Sequence, residues 1–405
     1  MSHAELVAMA RHNMAHAGAG TIEQAPQIAR IPADHYVDGA RFEREVERVF
    51  RRMPLMLAMS CELREPGDYK AMEVAGIPVL IARGRDGTVK SFVNQCSHRG
   101  AQLMLPGKGN TSRFTCPYHA WSYRLDGELA GVFAKEEFGD FDWSCHSLQE
   151  LPTHERAGLI WVVLAKDAPV DFDAFLCGYD GLLGQFGFED WHHFSDRTLE
   201  GPNWKIAYDG YLDLYHLPIL HKDTFGSNFP HQTIYYAWGP HQRVTSPDPT
   251  LAEQLTGEAE TWPTLPMLNG VWTIFPHISI ASFDGGGGRG VMLSQLFPGD
   301  RPDQSFTVQN YVLEKAPNEE QAEAATAQFS FLETVVRDED YATGLRQQRA
   351  LATGMKAEVM FGRNEGGGQR FHGWVDRLLE TEDADLPKLF EQPEHTVAAL
   401  EVAPV

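Results

Sequence analysis

The sequence predicts an α+β chain: a compact all-β unit followed by a larger domain in which an antiparallel sheet accompanies a long helix. Three observations carry that reading. Between residues 54 and 165, short β-like runs such as "GIPVLIAR", "TVKSFVNQ" and "GLIWVVLA" are punctuated by Gly, Asp and Pro. From residue 277, "HISIASF" and "VMLSQLF" flank "DGGGGRG", and "SFTVQNYVLE" follows at once, the pattern of an antiparallel meander. Residues from about 318 to 351 then read as one helix.

Taken in order, the chain opens with a helical segment, residues 1–44. Asp38 is a fair N-cap for an amphipathic helix, because Phe42, Val46, Val49 and Phe50 recur behind it at helical spacing. The all-β unit occupies residues 45–170, and the acidic, Pro-containing "AKDAPVDFDAF" marks a boundary near residue 170. The rest, residues 171–405, forms the larger domain. Its four consecutive glycines read as a flexible hairpin tip and not a phosphate cradle, since no helix starts after them.

At 405 residues the chain is long for one core, which agrees with two domains. Hydrophobic content of 43% and charged content of 22% describe a globular protein. With 34 Lys and Arg against 56 Asp and Glu the net charge is −22, a surface that repels phosphate backbones and argues against nucleic-acid binding. The most apolar runs have strand length, well short of the roughly 20 residues a membrane span needs. The N-terminal residues lack the apolar core of a signal peptide, so a cytoplasmic location is expected. Cys61, Cys145 and Cys177 stand apart from the other two cysteines and read as buried free thiols.

The remaining cysteines belong to Cys96-x-His98-x17-Cys116-x2-His119, carried by "CSHRGA" and "CPYHAW". Two thiolates and two imidazoles most often mean structural zinc. Zinc knuckles, however, usually place two cysteines in one loop and two histidines in the other, whereas each loop here supplies one of each. That mixture suits a two-iron cluster in which one iron takes both thiolates and the other both imidazoles. On these loops the sequence resembles the Rieske [2Fe-2S] proteins.

A Rieske cluster carries electrons, and the chain offers a place to use them. "NWKIAYDGYLDLYHLPILHKDTFG" contains Asp213-x2-His216-x4-His221 in an apolar surround. Two histidines of one irregular helix can face a common ion, and non-haem iron sites add one carboxylate. In the later helix, Phe329, Leu332, Val336 and Asp340 form one stripe, which places Asp340 on the apolar face and Asp338 away from it. Burying a carboxylate there without a partner is costly, so a metal is its expected partner.

Together these segments resemble the catalytic α subunits of Rieske non-haem iron aromatic-ring-hydroxylating oxygenases. The resemblance implies a helix-grip fold for the second domain, with His216, His221 and Asp340 holding mononuclear Fe(II) and Asp213 linking that site to the cluster held by Cys96, His98, Cys116 and His119. It also implies O2 and a small hydrophobic or aromatic substrate, a trimer with or without a β subunit, and a separate reductase or ferredoxin fed by NAD(P)H, since the chain has no nucleotide or flavin motif. Monooxygenation or demethylation of a quaternary amine, methyl ether or alkyl carbon stays open beside ring dihydroxylation. A non-enzymatic electron carrier or zinc-stabilised binding module is the alternative of another class. Phe225, Trp238, Trp272, Phe275 and Phe283 are candidate substrate-lining aromatics. One departure stands out: after the strand expected at Trp204-Lys205, many relatives have "EN" where this chain has Asp209-Gly210.

Overall fold

The computed structural model describes residues 2–140, 142–166, 171–391 and 401–404. The chain divides into two compact units, residues 50–168 and residues 1–49 with 169–405. Residues 167–170, in the expected boundary segment, lie outside the described residues.

In the smaller unit, alternating buried residues build short antiparallel strands. A five-stranded sheet runs in the order Glu150–Leu151, Val89–Val93, Ile77–Arg83, Asp68–Val74 and Gly107–Asn110. A three-stranded sheet joins Thr153–Arg156, Leu159–Val162 and Leu55–Met59, the last two buried throughout. A further small sheet, Leu129–Gly131, Ser122–Tyr123 and Phe114–Thr115, flanks the second Cys/His loop. Leu80, Phe92, Phe114 and Tyr123 pack with Cys96 and Cys116 in one buried cluster, so the two thiols sit on the unit's core.

The larger unit is built on a seven-stranded antiparallel sheet in the order His192–Gly201, Ser305–Leu313, Gly288–Pro298, Ile278–Gly285, Val271–Ile274, His241–Thr245 and Ile234–Trp238. The expected long helix is present as Glu319–Thr334, a wide π turn Val335–Tyr341, and Ala342–Leu351. Asn318 starts it with a capping box to Gln321, and Phe329 stacks on Tyr311 of the sheet at 5.5 Å. Val335 continues the buried stripe of Ala325, Phe329 and Leu332 and Val336 is only half-buried, and across the π turn the next buried residue is Tyr341. A second amphipathic helix, Gly366–Glu380, buries Phe371 against Trp204, Tyr208 and Phe275.

Several expectations change. The segment 1–44 groups with the larger unit, and the helical segment expected there holds an 18-residue helix, Ser2–Ala19, followed by two short strands, Thr21–Gln24 and Ala29–Pro32. Asp38 does cap Gly39–Glu45, accepting the Arg41 N–H at 2.6 Å. Trp204-Lys205 begins a helix, Trp204–Asp209, and not a strand, because Asn203 caps it through the Lys205 N–H. Its Lys205 ammonium meets Glu45 with both side chains fully buried. Trp204 Nε1 and Arg41 Nε also donate to that carboxylate, each at 2.9 Å, which is how the charge is tolerated there.

The glycine tip is a hairpin as expected, but it is packed. A Cβ on Gly287 would lie 2.8 Å from the Ala325 Cβ of the long helix, so a side chain there would push sheet and helix apart. Of the three cysteines expected to be buried, Cys61 is, Cys177 is half-buried and Cys145 is exposed, since it lies in a 3-10 turn with no buried residue.

Candidate metal centres

In the smaller unit the two Cys/His loops share one backbone design. Cys96 N–H donates to Ala101 O and its carbonyl accepts from Gly100 N–H; Cys116 N–H donates to Trp121 O and its carbonyl accepts from Ala120 N–H. Gly100 and Ala120, at equivalent positions, both have positive φ, 79° and 56°. For Ala120 that conformation is uncommon, and it turns the chain so that cysteine and histidine face the same side.

Cys96 and Cys116 are buried while His98 and His119 lie half-buried outside them, their rings 4.8 Å apart. Trp121 stacks on His98 at 4.7 Å, fixing that ring. Partial burial, then the neighbouring His119 and Arg99, hold the His98 imidazole below its ordinary range and favour the neutral form a metal requires. Tyr123 Oη lies 3.1 Å from Cys96 Sγ and accepts the Ser97 N–H at 3.0 Å. Inner thiols, outer imidazoles and a hydroxyl at one sulfur fit a [2Fe-2S] cluster. Among the described residues, the three-ligand groups that could close on one ion lie elsewhere, which fits two irons better than one zinc.

In the larger unit His216, His221 and Asp340 converge, with their ligand atoms within 4.8 Å of one another. The histidines cap the two ends of a short helical turn, Leu217–Leu220, which has Pro218 at its start and is followed by the wide turn Lys222–Gly226. Asp340 comes from the π turn of the long helix. Its Oδ1 lies 3.2 Å from His221 Nε2 and 3.7 Å from His216 Nε2. The other nitrogen of each ring is held by a further carboxylate. Asp213 Oδ1 lies 3.0 Å from His216 Nδ1, and Glu339 Oε2 lies 2.7 Å from His221 Nδ1.

Protons on both Nδ1 atoms leave both Nε2 lone pairs turned toward Asp340, the chemistry a divalent ion needs. Burial lowers the His221 pKa, but hydrogen bonds and charge from Asp340 and Glu339 outweigh it, and the result is raised. The donor set, two imidazoles and one carboxylate with no fourth protein ligand in the group, fits a non-haem iron site with open positions.

Glu339 escaped the sequence reading, as did Thr224, whose hydroxyl donates to the same Oε2 at 2.9 Å. In "RDEDY" nothing but the π turn distinguishes Glu339 from its neighbours. Asp338, by contrast, points outward to Arg337. A cavity of about 250 Å³ adjoins the triad. Its lining includes Ile206, Leu220 and Phe361 and the carboxylates of Asp209, Asp213 and Glu365, but none of the five aromatics expected from the sequence. Trp238, Trp272 and Phe275 are buried in the core, while Phe225 and Phe283 pack against the Met292, Tyr311 and Phe329 cluster. Asp209, at the departure from the family pattern, accepts from Tyr36 Oη at 3.0 Å and His372 Nε2 at 2.9 Å.

Comparison with known proteins places both halves. Residues 53–152 match the Rieske [2Fe-2S] domain model, and residues 188–381 match the catalytic domain of the ring-hydroxylating alpha subunit. The chain belongs to the Rieske non-haem iron oxygenases. The two cofactors of such a chain are accordingly the Rieske cluster and mononuclear iron.

Among the relatives of this Rieske oxygenase chain, the glycine betaine monooxygenase oxygenase subunit of Chromohalobacter salexigens is 32% identical over 199 residues, 49% of this chain and 44% of that one. The carnitine monooxygenase oxygenase subunit of Escherichia coli (strain K12) is 36% identical over 200 residues, 48% and 53% of the two chains. The match thus spans about half the length of these relatives. A crystal structure of a quaternary ammonium Rieske monooxygenase aligns with TM-score 0.74 over 88% of this chain and 97% of that chain at 22% identity. Naphthalene 1,2-dioxygenase from Rhodococcus sp. aligns with TM-score 0.73 over 93% and 99% at 20% identity. At such identities the likeness carries the fold, the Rieske unit followed by the helix-grip domain. No helix of the described residues is long and apolar enough to cross a membrane.

Proposed function

We propose that the chain is an oxygenase component in which His216, His221 and Asp340 hold Fe(II), and Cys96, Cys116, His98 and His119 hold the Rieske cluster. The observation that carries the reading is the pair of Nε2 atoms turned onto Asp340 while Asp213 and Glu339 occupy both Nδ1 atoms. Iron held there would supply O2 activation, and the cluster would supply electrons. The protein orients the imidazoles, keeps a proton on each Nδ1, and uses Ile206, Leu220 and Phe361 to restrict water beside the site.

Of the two substrate classes, a methylated amine cation is favoured over an aromatic ring. Asp209, Asp213 and Glu365 line the cavity beside the triad, an electrostatic match for a cation. The names of the glycine betaine and carnitine relatives support the same choice. A substrate methyl, one O2, two electrons and two protons would then give a hydroxymethyl group and water. The aromatic reading is supported by anthranilate 1,2-dioxygenase of Burkholderia cepacia, whose large subunit is 31% identical over 202 residues.

The electron source is a separate NAD(P)H-dependent reductase or ferredoxin in the cytoplasm. The working assembly is a head-to-tail trimer in which His119 of one chain approaches Asp213 of the next. Substrate-dependent O2 uptake with product mass, run against quaternary amines, aromatic acids and polycyclic hydrocarbons, tests the reading. Formaldehyde release from a methylated amine is expected. Turnover confined to aromatic rings would overturn the substrate class, and no O2 uptake with either class by iron-replete protein would overturn the oxygenase reading.

A further inference from the structure

A second three-ligand group lies far along the sequence from the first, outside both segments that match family models. His12 and His16, one helical turn apart on Ser2–Ala19, meet Glu23 of the adjoining strand Thr21–Gln24. His12 Nε2 and His16 Nε2 are 3.2 Å apart, and Glu23 Oε1 lies 3.2 Å from the first and 3.9 Å from the second. An ion with zinc–nitrogen bonds of about 2.0–2.1 Å in tetrahedral geometry holds its ligand atoms roughly 3.3 Å apart. Two of the three separations therefore already match those one such ion would impose, and the third, from His16 Nε2 to Glu23 Oε1, is longer at 3.9 Å.

The surrounding hydrogen bonds settle which nitrogens face inward. Tyr236 Oη donates to Met9 O at 3.0 Å, which leaves its oxygen to accept from His12 Nδ1 at 3.1 Å. His16 Nδ1 lies 3.2 Å from Thr21 O, an atom that can only accept, and 2.9 Å from Thr21 Oγ1. With a proton on each Nδ1, both Nε2 atoms carry lone pairs, and these point at each other and at a carboxylate. Three acceptors that close repel one another unless a cation lies between them. His16 and Glu23 are largely buried, whereas His12 is 39% exposed, so an ion would have three protein ligands and an open side for water.

We propose that His12, His16 and Glu23 form a second metal site, selective for a borderline divalent cation such as Zn2+, that ties the N-terminal helix to the strand Thr21–Gln24. Two neutral imidazoles and one carboxylate suit that class of ion, and the outer contacts from Tyr236 and Thr21 hold the rings as ligating histidines are commonly held.

The test uses the full chain with its iron in place, equilibrated with Zn2+ alone at micromolar concentration and desalted, with zinc and iron measured together. The expected result is one zinc per chain with iron unchanged, and a thermal midpoint raised by zinc. His12→Ala, at a half-open position, and Glu23→Gln, which keeps the shape of the side chain, should each leave the fold standing and weaken zinc binding by more than the roughly 10–100-fold lost with an outer contact. Tyr236→Phe should weaken it within that smaller range. Zinc absent from the wild type would show that the three groups share only a proton. Zinc gained in proportion to iron lost, or held equally by His12→Ala and Glu23→Gln, would also overturn the proposal.

Discussion

Asp213 Oδ1 lies 3.0 Å from His216 Nδ1 and at the same time accepts the backbone N–H of Tyr215 at 2.7 Å. The carboxylate is thus fixed to the chain before it fixes the ring. In Asp213→Ala, iron and cluster content should both be retained while steady-state turnover falls by roughly 10–100-fold or more. Iron analysis beside O2 uptake checks this. Loss of the mononuclear iron alone would show that Asp213 serves iron binding through His216, as Glu339 does through His221, and not electron transfer.

Glu339 plays the corresponding part for His221. Glu339→Gln should lower iron retention through dialysis by roughly 10–100-fold, because its amide no longer holds the Nδ1 proton as a carboxylate does. Asp338→Asn, one residue earlier and facing Arg337 at the surface, should leave both iron content and the thermal midpoint unchanged. Equal behaviour of the two variants would remove Glu339 from the site.

The cluster ligands belong to the other unit, so their loss should be separable. His119→Ala is expected to abolish the visible absorption of the cluster and to leave one iron per chain bound. Loss of all iron from a protein with unchanged circular dichroism would speak against two independent centres.

His241 makes stability depend on pH. Burial pulls its pKa from 6.5 to about 4, only partly opposed by its bond to Phe175 O and assisted by Arg370. In the fold, Nε2–H donates to Phe175 O at 2.9 Å and Nδ1 accepts Phe275 N–H at 3.2 Å, so the neutral ring is fully engaged. Between pH 6.5 and 4 the unfolded chain takes up a proton that the native chain does not. Stability is therefore intact above pH 6.5 and lost as pH falls toward 4, by on the order of 3 kcal/mol from this group. Denaturant melts of wild type and His241→Gln across that window should converge at low pH. Parallel curves would show that another group governs the loss.

Much of this was legible from residue spacing alone. The Cys/His loops signal themselves because both ligand types recur at short range, and strand alternation marks the sheets. Helical phase places Asp340 inward even though a π turn intervenes, since Phe329 and Leu332 anchor the buried face just before it. What spacing could not show depends on contacts between distant segments. Nothing in the sequence marks Lys205 as buried, because its partner Glu45 stands 160 positions away. The five aromatics expected around the substrate are apolar enough for either a cavity or a core, and only packing assigns Trp238, Trp272 and Phe275 to the core and leaves Phe225 and Phe283 half-buried beside it. The site formed by His12, His16 and Glu23 also joins a helix to a strand, and the strand lies within a segment that reads as helical.

The π turn at Val335–Tyr341 has an evolutionary corollary. Glu339 and Asp340 are consecutive, yet they reach opposite nitrogens of the same His221 ring. That grip relies on the extra residue within the turn. Removing one residue would restore a regular helix and rotate the following segment by about 100° relative to the preceding one, releasing both contacts together. A substitution removes at most one of them. Sequence drift at this locus should accordingly permit changes of spelling and forbid changes of length, and a one-residue deletion here should be harsher than any single replacement within the same stretch.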